Sequence, residues 1–418
     1  MSADSQGDVG LCSVPMISYR AGMSKLTNFS RSGLDNFMRT FPSDHMLLKG
    51  VADFIQMHHW EGLSFITTND EYGVDSSREF LEAVEELSSK LGAAGLQTIR
   101  DVQVHFVEPD NKDDIRETLQ TIKESSWRIV VLHAPEEIAP RIMHQAVALR
   151  MVRMGWCWIG TEWVTDSMFS HPVLESRAPD GLSRDGTAEY MRDELWGLIA
   201  IQHDTHQTPI AARLRSMWEA EKHDFINHTA CPEATDRMTL SETADFAFDA
   251  VMVIGAGTAM LADQRAEQVP PGRGHWWRTA ITRGYEVRGP LMNAMVENEL
   301  AELASGPVIF NDAGDPIAVR FSVVNYNYPA KGMKEVGKWI QTQQDYVACG
   351  TETLCGVLEV SDSQISWMGR SENVPTDRVI EHDLIHAIYM TLVIALLIVS
   401  IIGGNIIELL HFNYLPEA

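Results

Sequence analysis

The apolar positions of this chain change their period along its length, and the changes mark out its elements. Gly62–Thr68 (GLSFITT), Val102–Val107, Arg128–His133 (RIVVLH) and Trp156–Gly160 are short apolar runs suited to buried strands. Between them, Ser76–Leu91 sets Phe80, Val84, Leu87 and Leu91 on one helical face. Asp113–Ser125 aligns Ile115, Leu119 and Ile122, and Pro135–Met151 reads as a third helix. This alternation predicts a parallel sheet with right-handed crossovers. A second α/β segment begins near Trp196 (WGLIAIQ) and contains a long helix around Ala244–Ala262. It gives way to a predicted hairpin in GPVIFNDAGDPIAVRFSVVNY, with the turn at Asn311–Gly314.

A third pattern closes the chain. The nineteen residues Leu384–Ile402 carry no chargeable side chain except His386. At about 1.5 Å per residue they would cover roughly 28 Å, close to the hydrocarbon thickness of a bilayer. Charges stop at Glu381 and Asp383 and resume at Glu408. The expectation is a water-soluble region tethered by one C-terminal transmembrane helix. The first ten residues, MSADSQGDVG, show neither the basic nor the apolar region of a signal peptide. Residues after Ile402 include no Lys or Arg, so charge bias gives no orientation.

Composition narrows the function. A chain of 418 residues, 45% hydrophobic and 22% charged, is long enough for two sizeable cores. Its formal charge of −25, with no basic cluster, argues against nucleic acid as a partner. Cys349 and Cys355, in ACGTETLCG, either pair locally outside a cell or remain free thiols. Asn28-Phe-Ser and Asn227-His-Thr are glycosylation acceptors if the region is extracellular. There is no HExxH, GxSxG, Walker A or paired CxxC, and Gly255-Ala-Gly257 lies inside a helical run rather than after a strand. His203-Asp-Thr-His206 reads as a solvated turn. The expectation is a protein that is not an enzyme, with no cofactor and no metal.

Six blocks carry a family resemblance: VPMISYRAGMSKLTN, FMRTFPSD, HHWEGLSFITTNDEYG, WCWIGTEW, FAFDAVMVIGAGTAML and GPVIFNDAGDPIAVRFSVVNY. Their order and spacing resemble the receptor ligand-binding region, the two-lobed Venus flytrap related to periplasmic binding proteins. ISWMGRSENVPTDR is similar to the membrane junction of GABA-B-type G-protein-coupled receptors. The resemblance implies an α/β, two-lobed, periplasmic-binding-protein-like fold with parallel sheets and an incomplete first lobe, as though the chain were truncated at both ends. It divides the chain into a tail at 1–13, a binding region at 14–345, a linker at 346–383, a transmembrane helix at 384–407 and a tail at 408–418. Lobe two is drawn mainly from 62–160 and 306–345, lobe one from 14–60 and 196–305.

The same resemblance implies an extracellular region at the cell surface that binds a small, amino-acid-like molecule and signals by cleft closure. Its partners would be the membrane, a related receptor chain in a dimer and, at full length, a G protein. The alternatives are a receptor guanylate cyclase, an ionotropic glutamate receptor subunit or a membrane-tethered solute-binding protein. Carried onto matching positions, the family pocket implies Asp44, Tyr72 and Glu162 around a ligand ammonium, with Trp163 as an aromatic wall. Relatives place hydroxyl residues where this chain has Arg20, Ala21 and Gly22. Carboxylate binding would therefore rest on Arg20 and on the backbone at Gly22.

Overall fold

Strands Gly62–Thr68 (β3), Ile129–Leu132 (β5) and Cys157–Gly160 (β6) are buried at every position. Such runs fit only a sheet covered on both faces. In the computed structural model they lie in an eight-stranded sheet. The structure describes residues 16–26, 37–93, 96, 98–164, 168–177, 189–204, 208–228, 240–241, 243–266, 302–311, 313–327, 332–349, 356–379 and 392–394. The remaining strands of that sheet are Asp101–Val107 (β4), Ile199–His203 (β7), Val319–Asn327 (β8), Gly332–Gln341 (β9) and Val357–Val360 (β10). Their order is β10-β9-β8-β7-β6-β5-β3-β4, parallel from β4 to β7 and antiparallel from β7 to β10. β3 has β4 on one side and β5 on the other. The strand order therefore reverses there, the position at which open α/β sheets bind ligands.

Each face of the sheet carries its own core. Helices Asp44–Met57 (α1) and Glu71–Ala93 (α2) cover one face, with Leu47, Val51, Phe54, Phe80 and Leu87 packed on Phe65 and Val131. Helices Lys112–Glu124 (α3) and Ala139–Ala148 (α4) cover the other, placing Ile115, Leu119, Ile122, Ile142 and Met143 on Val130 and Trp158. The Asn111 side chain caps α3 by accepting from the Asp113 and Asp114 amides, which fixes where the chain leaves β4.

A smaller layer lies apart from the sheet. Met16–Ser18 (β1) and Phe37–Arg39 (β2) pair in parallel. Ile17 and Met38 pack with Val253, Leu303, Val308 and Phe310, Val253 coming from helix Ala244–Ala266 (α6). Helix α5 is Pro209–His228, and α7 is Gln343–Cys349.

Two expectations change against this architecture, and a third falls outside the described residues. The sequence assigns 196–305 to the first lobe, yet β7 pairs between β6 and β8 in the large sheet. The predicted hairpin at Asn311–Gly314 is a tight turn with a single bridge between Phe310 and Pro316, and the full hairpin is β8 with β9. Residues 378–418 form a separate unit, described only at 378–379 and 392–394, so the predicted span Leu384–Ile402 lies almost wholly outside the described residues. Among the described residues no helix is long and apolar enough to cross a membrane.

Candidate functional site

The sheet ends in polar residues on one side. Thr67 and Thr68 close β3, His133 follows β5, Thr161 and Glu162 follow β6, and His203 closes β7. Carboxyl ends of parallel strands share one edge of the sheet, so these four junctions bring their side chains to one region. The return from β3 into α2 is tight. A Cβ on Gly73 would lie 1.9 Å from the Thr68 carbonyl oxygen. Asp70 shapes the turn by accepting from the Gly73 amide at 2.8 Å and from the Thr68 hydroxyl at 2.9 Å. This places Tyr72 at the start of α2.

Tyr72 then joins a buried relay. Its hydroxyl shares a 2.7 Å hydrogen bond with His133 Nε2, and His133 Nδ1 lies 3.0 Å from Thr161 Oγ1. The Tyr72 and His133 rings stack at 5.2 Å. Burial lowers the His133 pKa to about 4, so its imidazole is neutral at physiological pH. Burial first, and then the charges of Asp44 and Glu162, push the Tyr72 phenol well above its ordinary value.

From the small layer comes a loop, residues 19–23, held against the start of α1. Ser18 Oγ accepts from the amides of Arg20 and Ala21, at 3.3 and 3.0 Å. The Gly22 carbonyl accepts from the Asp44 amide at 2.8 Å. A Cβ on Gly22 would sit 2.0 Å from Asp44 Oδ1, so any side chain there collides with the carboxyl. Arg39, fully buried, donates through Nη1 to the carbonyls of Ala21, Gly22 and Met23, each at 2.9 Å, and through Nε to Asp315 at 2.5 Å. Lys25 pairs with Glu71 beside Tyr72.

The two acids of the cluster differ. Asp44 is 3% exposed, and its Oδ2 has no hydrogen-bond partner among the described residues. Burial, followed by the charge of Glu162, raises its pKa well above the carboxylate range against the opposing pull of Arg39. Burial also works against the charged form of Glu162. Its 2.7 Å hydrogen bond and ion pair with His203, assisted by His133 and Arg20, prevail and hold it below the usual range. His203 is walled by Phe41, Phe246 and Phe321, with ring centroids 4.1, 5.5 and 5.1 Å away.

Of the residues expected to bind ligand, Gly22 abuts Asp44, the charges of Asp44 and Glu162 act on Tyr72, and Arg20 is exposed near enough for its charge to act on Glu162. Trp163 is a correction. It is 1% exposed, packs in the sheet core and donates its indole N–H to the Leu132 carbonyl at 2.8 Å, so it builds no wall of the site. His203, expected on a solvated turn, is half-buried and bonded to Glu162. Arg39, His133 and Thr161 are further members that the sequence alone does not single out. Asn28 and Cys355 lie outside the described residues, Asn227 lies in α5, and Cys349 is disulfide-bonded.

Two neighbouring features are less suited to chemistry. A cavity of about 390 Å³ is lined in part by Thr40, Asp204, Phe246, Val308 and Gln341, and its acid, Asp204, is paired with Lys338 at 2.9 Å. His45, Glu79 and Glu82 bring ligand-type atoms within 4.8 Å of one another. Arg78 pairs with both glutamates, at 3.1 and 3.6 Å, and His45 with Glu79 at 3.1 Å, so the group is an ion-pair network.

Comparison with known proteins agrees with this architecture. Residues 9–328 match the family described as receptor family ligand binding region. The chain is 23% identical to glutamate receptor 3.1 of Oryza sativa subsp. japonica over 339 residues, 78% of this chain and 32% of that protein. It is 23% identical to the human extracellular calcium-sensing receptor over 169 residues, 39% of this chain and 14% of the receptor. Against taste receptor type 1 member 3 of Gorilla gorilla gorilla the identity is 25% over 158 residues, 37% of this chain and 17% of that protein. The chain thus spans about a third or less of the length of these relatives.

Proposed function

The chain belongs to the receptor family of ligand-binding regions, and from that membership we propose that residues 16–377 form the extracellular ligand-binding part of a cell-surface signalling receptor. The ligand is a small molecule held by Asp44, Tyr72 and Glu162, with Gly22 and Arg20 on the facing loop. One observation supports this reading: three residues far apart in sequence, from α1, α2 and the end of β6, lie near enough for the charges of Asp44 and Glu162 to act on Tyr72 at the carboxyl ends of the parallel strands. Ligand reaching both the small layer and the sheet favours the closed arrangement by its differential affinity, which is the mechanical output of such a receptor.

The anchor is the apolar span Leu384–Ile402, with the region before Asp383 outside the cell and Asn28 and Asn227 as glycan acceptors. The Cys349 disulfide suits that compartment, with Cys355 as its proposed partner. The GABA-B-type junction at 365–378 favours a G-protein-coupled receptor. A glutamate-receptor subunit is the second reading, favoured by a match over 78% of the chain against 39% for the calcium-sensing receptor. In either case the receptor works as a dimer with a related chain.

A thermal-shift screen of small metabolites on the purified full chain tests the binding function. A ligand at a hundred times its Kd stabilises the protein by about 2.7 kcal/mol. The expected hit shifts the melting temperature of the native chain and not of Glu162→Gln. A hit that is equally effective on Glu162→Gln overturns the assigned site. Unchanged gel mobility after peptide-N-glycosidase treatment of chain made in eukaryotic cells overturns the extracellular placement.

A further inference from the structure

Resting on the reading of the Asp44 and Glu162 cluster as a ligand site, we propose that it selects a primary ammonium ligand bearing no carboxylate of its own, an amine rather than an amino acid.

The argument counts donors and acceptors. On the acceptor side, Asp44 Oδ2 is buried and without a partner among the described residues, and so is Thr67 Oγ1 at the end of β3. The charge of Glu162 disfavours the ionised form of Asp44, a conflict that a cation beside Asp44 relieves. An ammonium offers three donors and no acceptor. The site is therefore short of what an ammonium brings.

On the donor side, the groups that would hold a carboxylate are engaged. The Arg20 and Ala21 amides already donate to Ser18 Oγ. Arg39 spends its Nη1 on three loop carbonyls and its Nε on Asp315. His203 commits Nε2 to Glu162 and leaves a buried Nδ1 without a partner among the described residues, which is an acceptor while the imidazole is neutral; His133 is bonded at both ring nitrogens, to Tyr72 and Thr161. Arg20, the remaining cation, is exposed, and its charge falls on Glu162. A ligand carboxylate would add negative charge beside Glu162 and the bare Asp44 oxygen, and among the described residues of the cluster it would meet no uncommitted buried cation. Gly22 enforces this by keeping the loop against the Asp44 carboxyl, where even a methyl would overlap it.

Matched pairs of compounds make the test, because each pair differs only in the carboxylate. Isothermal titration of the full chain in mild detergent at pH 7.5 compares phenethylamine with phenylalanine and butylamine with 4-aminobutanoate. Each amine is expected to bind at least about tenfold tighter than its carboxylated partner, a difference of roughly 1.4 kcal/mol. Asp44→Asn should weaken amine binding by about tenfold or more at unchanged or higher melting temperature, and Gly22→Ala should weaken it comparably. Heat that differs between buffers of different ionisation enthalpy should report proton release from Asp44 on amine binding.

Amino acids binding as tightly as their amines, amine affinity unchanged in both variants, or no binding by any of the four compounds would each overturn the proposal. So would calcium chloride giving the Asp44-dependent heat while the amines give none. In every such case, a library hit that is lost in Glu162→Gln leaves the ligand-site reading standing, so the two failures are told apart.

Discussion

Asp44 and Glu162 reach the same space from different parts of the molecule. Asp44 begins α1 and is pressed against the loop of the small layer. Glu162 follows β6 and belongs to the large sheet. The first has a bare oxygen and is pushed toward its neutral form; the second has an imidazole partner and stays ionised. One functional group, the carboxyl, in two settings thus supplies two different capacities, a fixed negative charge and a carboxyl poised to ionise when a cation arrives. The difference lies in the supports: Arg39 braces the loop side through backbone carbonyls, and His203 braces the sheet side through the acid itself.

The strongest way to break the comparison is to remove the brace on the loop side. Arg39→Met leaves Asp315 without its buried partner and three carbonyls without their donor, and should cost about 3–5 kcal/mol in urea unfolding. The Glu162 to His203 pair should survive. If ligand binding were kept at full strength in this variant, the loop would not be part of the site.

Acid titration separates the relay from the acids. His133 carries a folded pKa of about 4 against an ordinary 6.5, so the unfolded chain takes up the proton first as pH falls. Its contribution is present above pH 6.5 and is lost progressively toward pH 4, up to about 3 kcal/mol over that window. His133→Gln should be less stable at neutral pH and show a flatter decline below 6.5. An unchanged acid slope would mean that His133 is not the buried neutral group described above.

The smallest effect sharpens the contrast by its sign. Glu162 has a depressed pKa, so its stabilisation is present above the ordinary carboxylate range and lost as pH falls. Glu162→Gln should cost about 1 kcal/mol at neutral pH, discounted because a third of its side chain meets solvent. Asp44 has a raised pKa, so its contribution is present at low pH and lost as pH rises through the folded value. Asp44→Asn should therefore raise the melting temperature at pH 7 and leave it nearly unchanged under acid. Melting temperatures of both variants moving in the same direction at pH 7 would erase the distinction.

Much of the fold could be read from the chain, because the strands that matter are continuous apolar runs. Gly62–Thr68 is found as expected, and the runs around β4, β5 and β6 differ by a residue or two. β9 is harder to see. GMKEVGKWIQ mixes lysines, glycines and few apolar residues, since one side of it is only partly buried. The site divides similarly. Asp44, Tyr72 and Glu162 are visible through family blocks, whereas His133 at the end of RIVVLH looks like any polar residue leaving a strand. Its meaning depends on Tyr72, 61 positions earlier, and on Thr161, 28 positions later. Trp163 misleads for the converse reason. It adjoins Glu162 in sequence, but the chain turns after β6 and carries the indole back under the sheet edge to Leu132.

Arg39 also ties the loop before α1 to the turn before β8, through a bond to Asp315, 276 positions further along the chain from itself. A guanidinium bonded at both ends acts as a strut: under the proposed function, a ligand that pulled the loop at Asp44 would pull the turn at Asp315 with it. β8 follows that turn directly and pairs with β9, which pairs in turn with β10. Displacement at the ligand would then leave the molecule along the antiparallel edge of the sheet, the edge from which the chain continues toward residue 377.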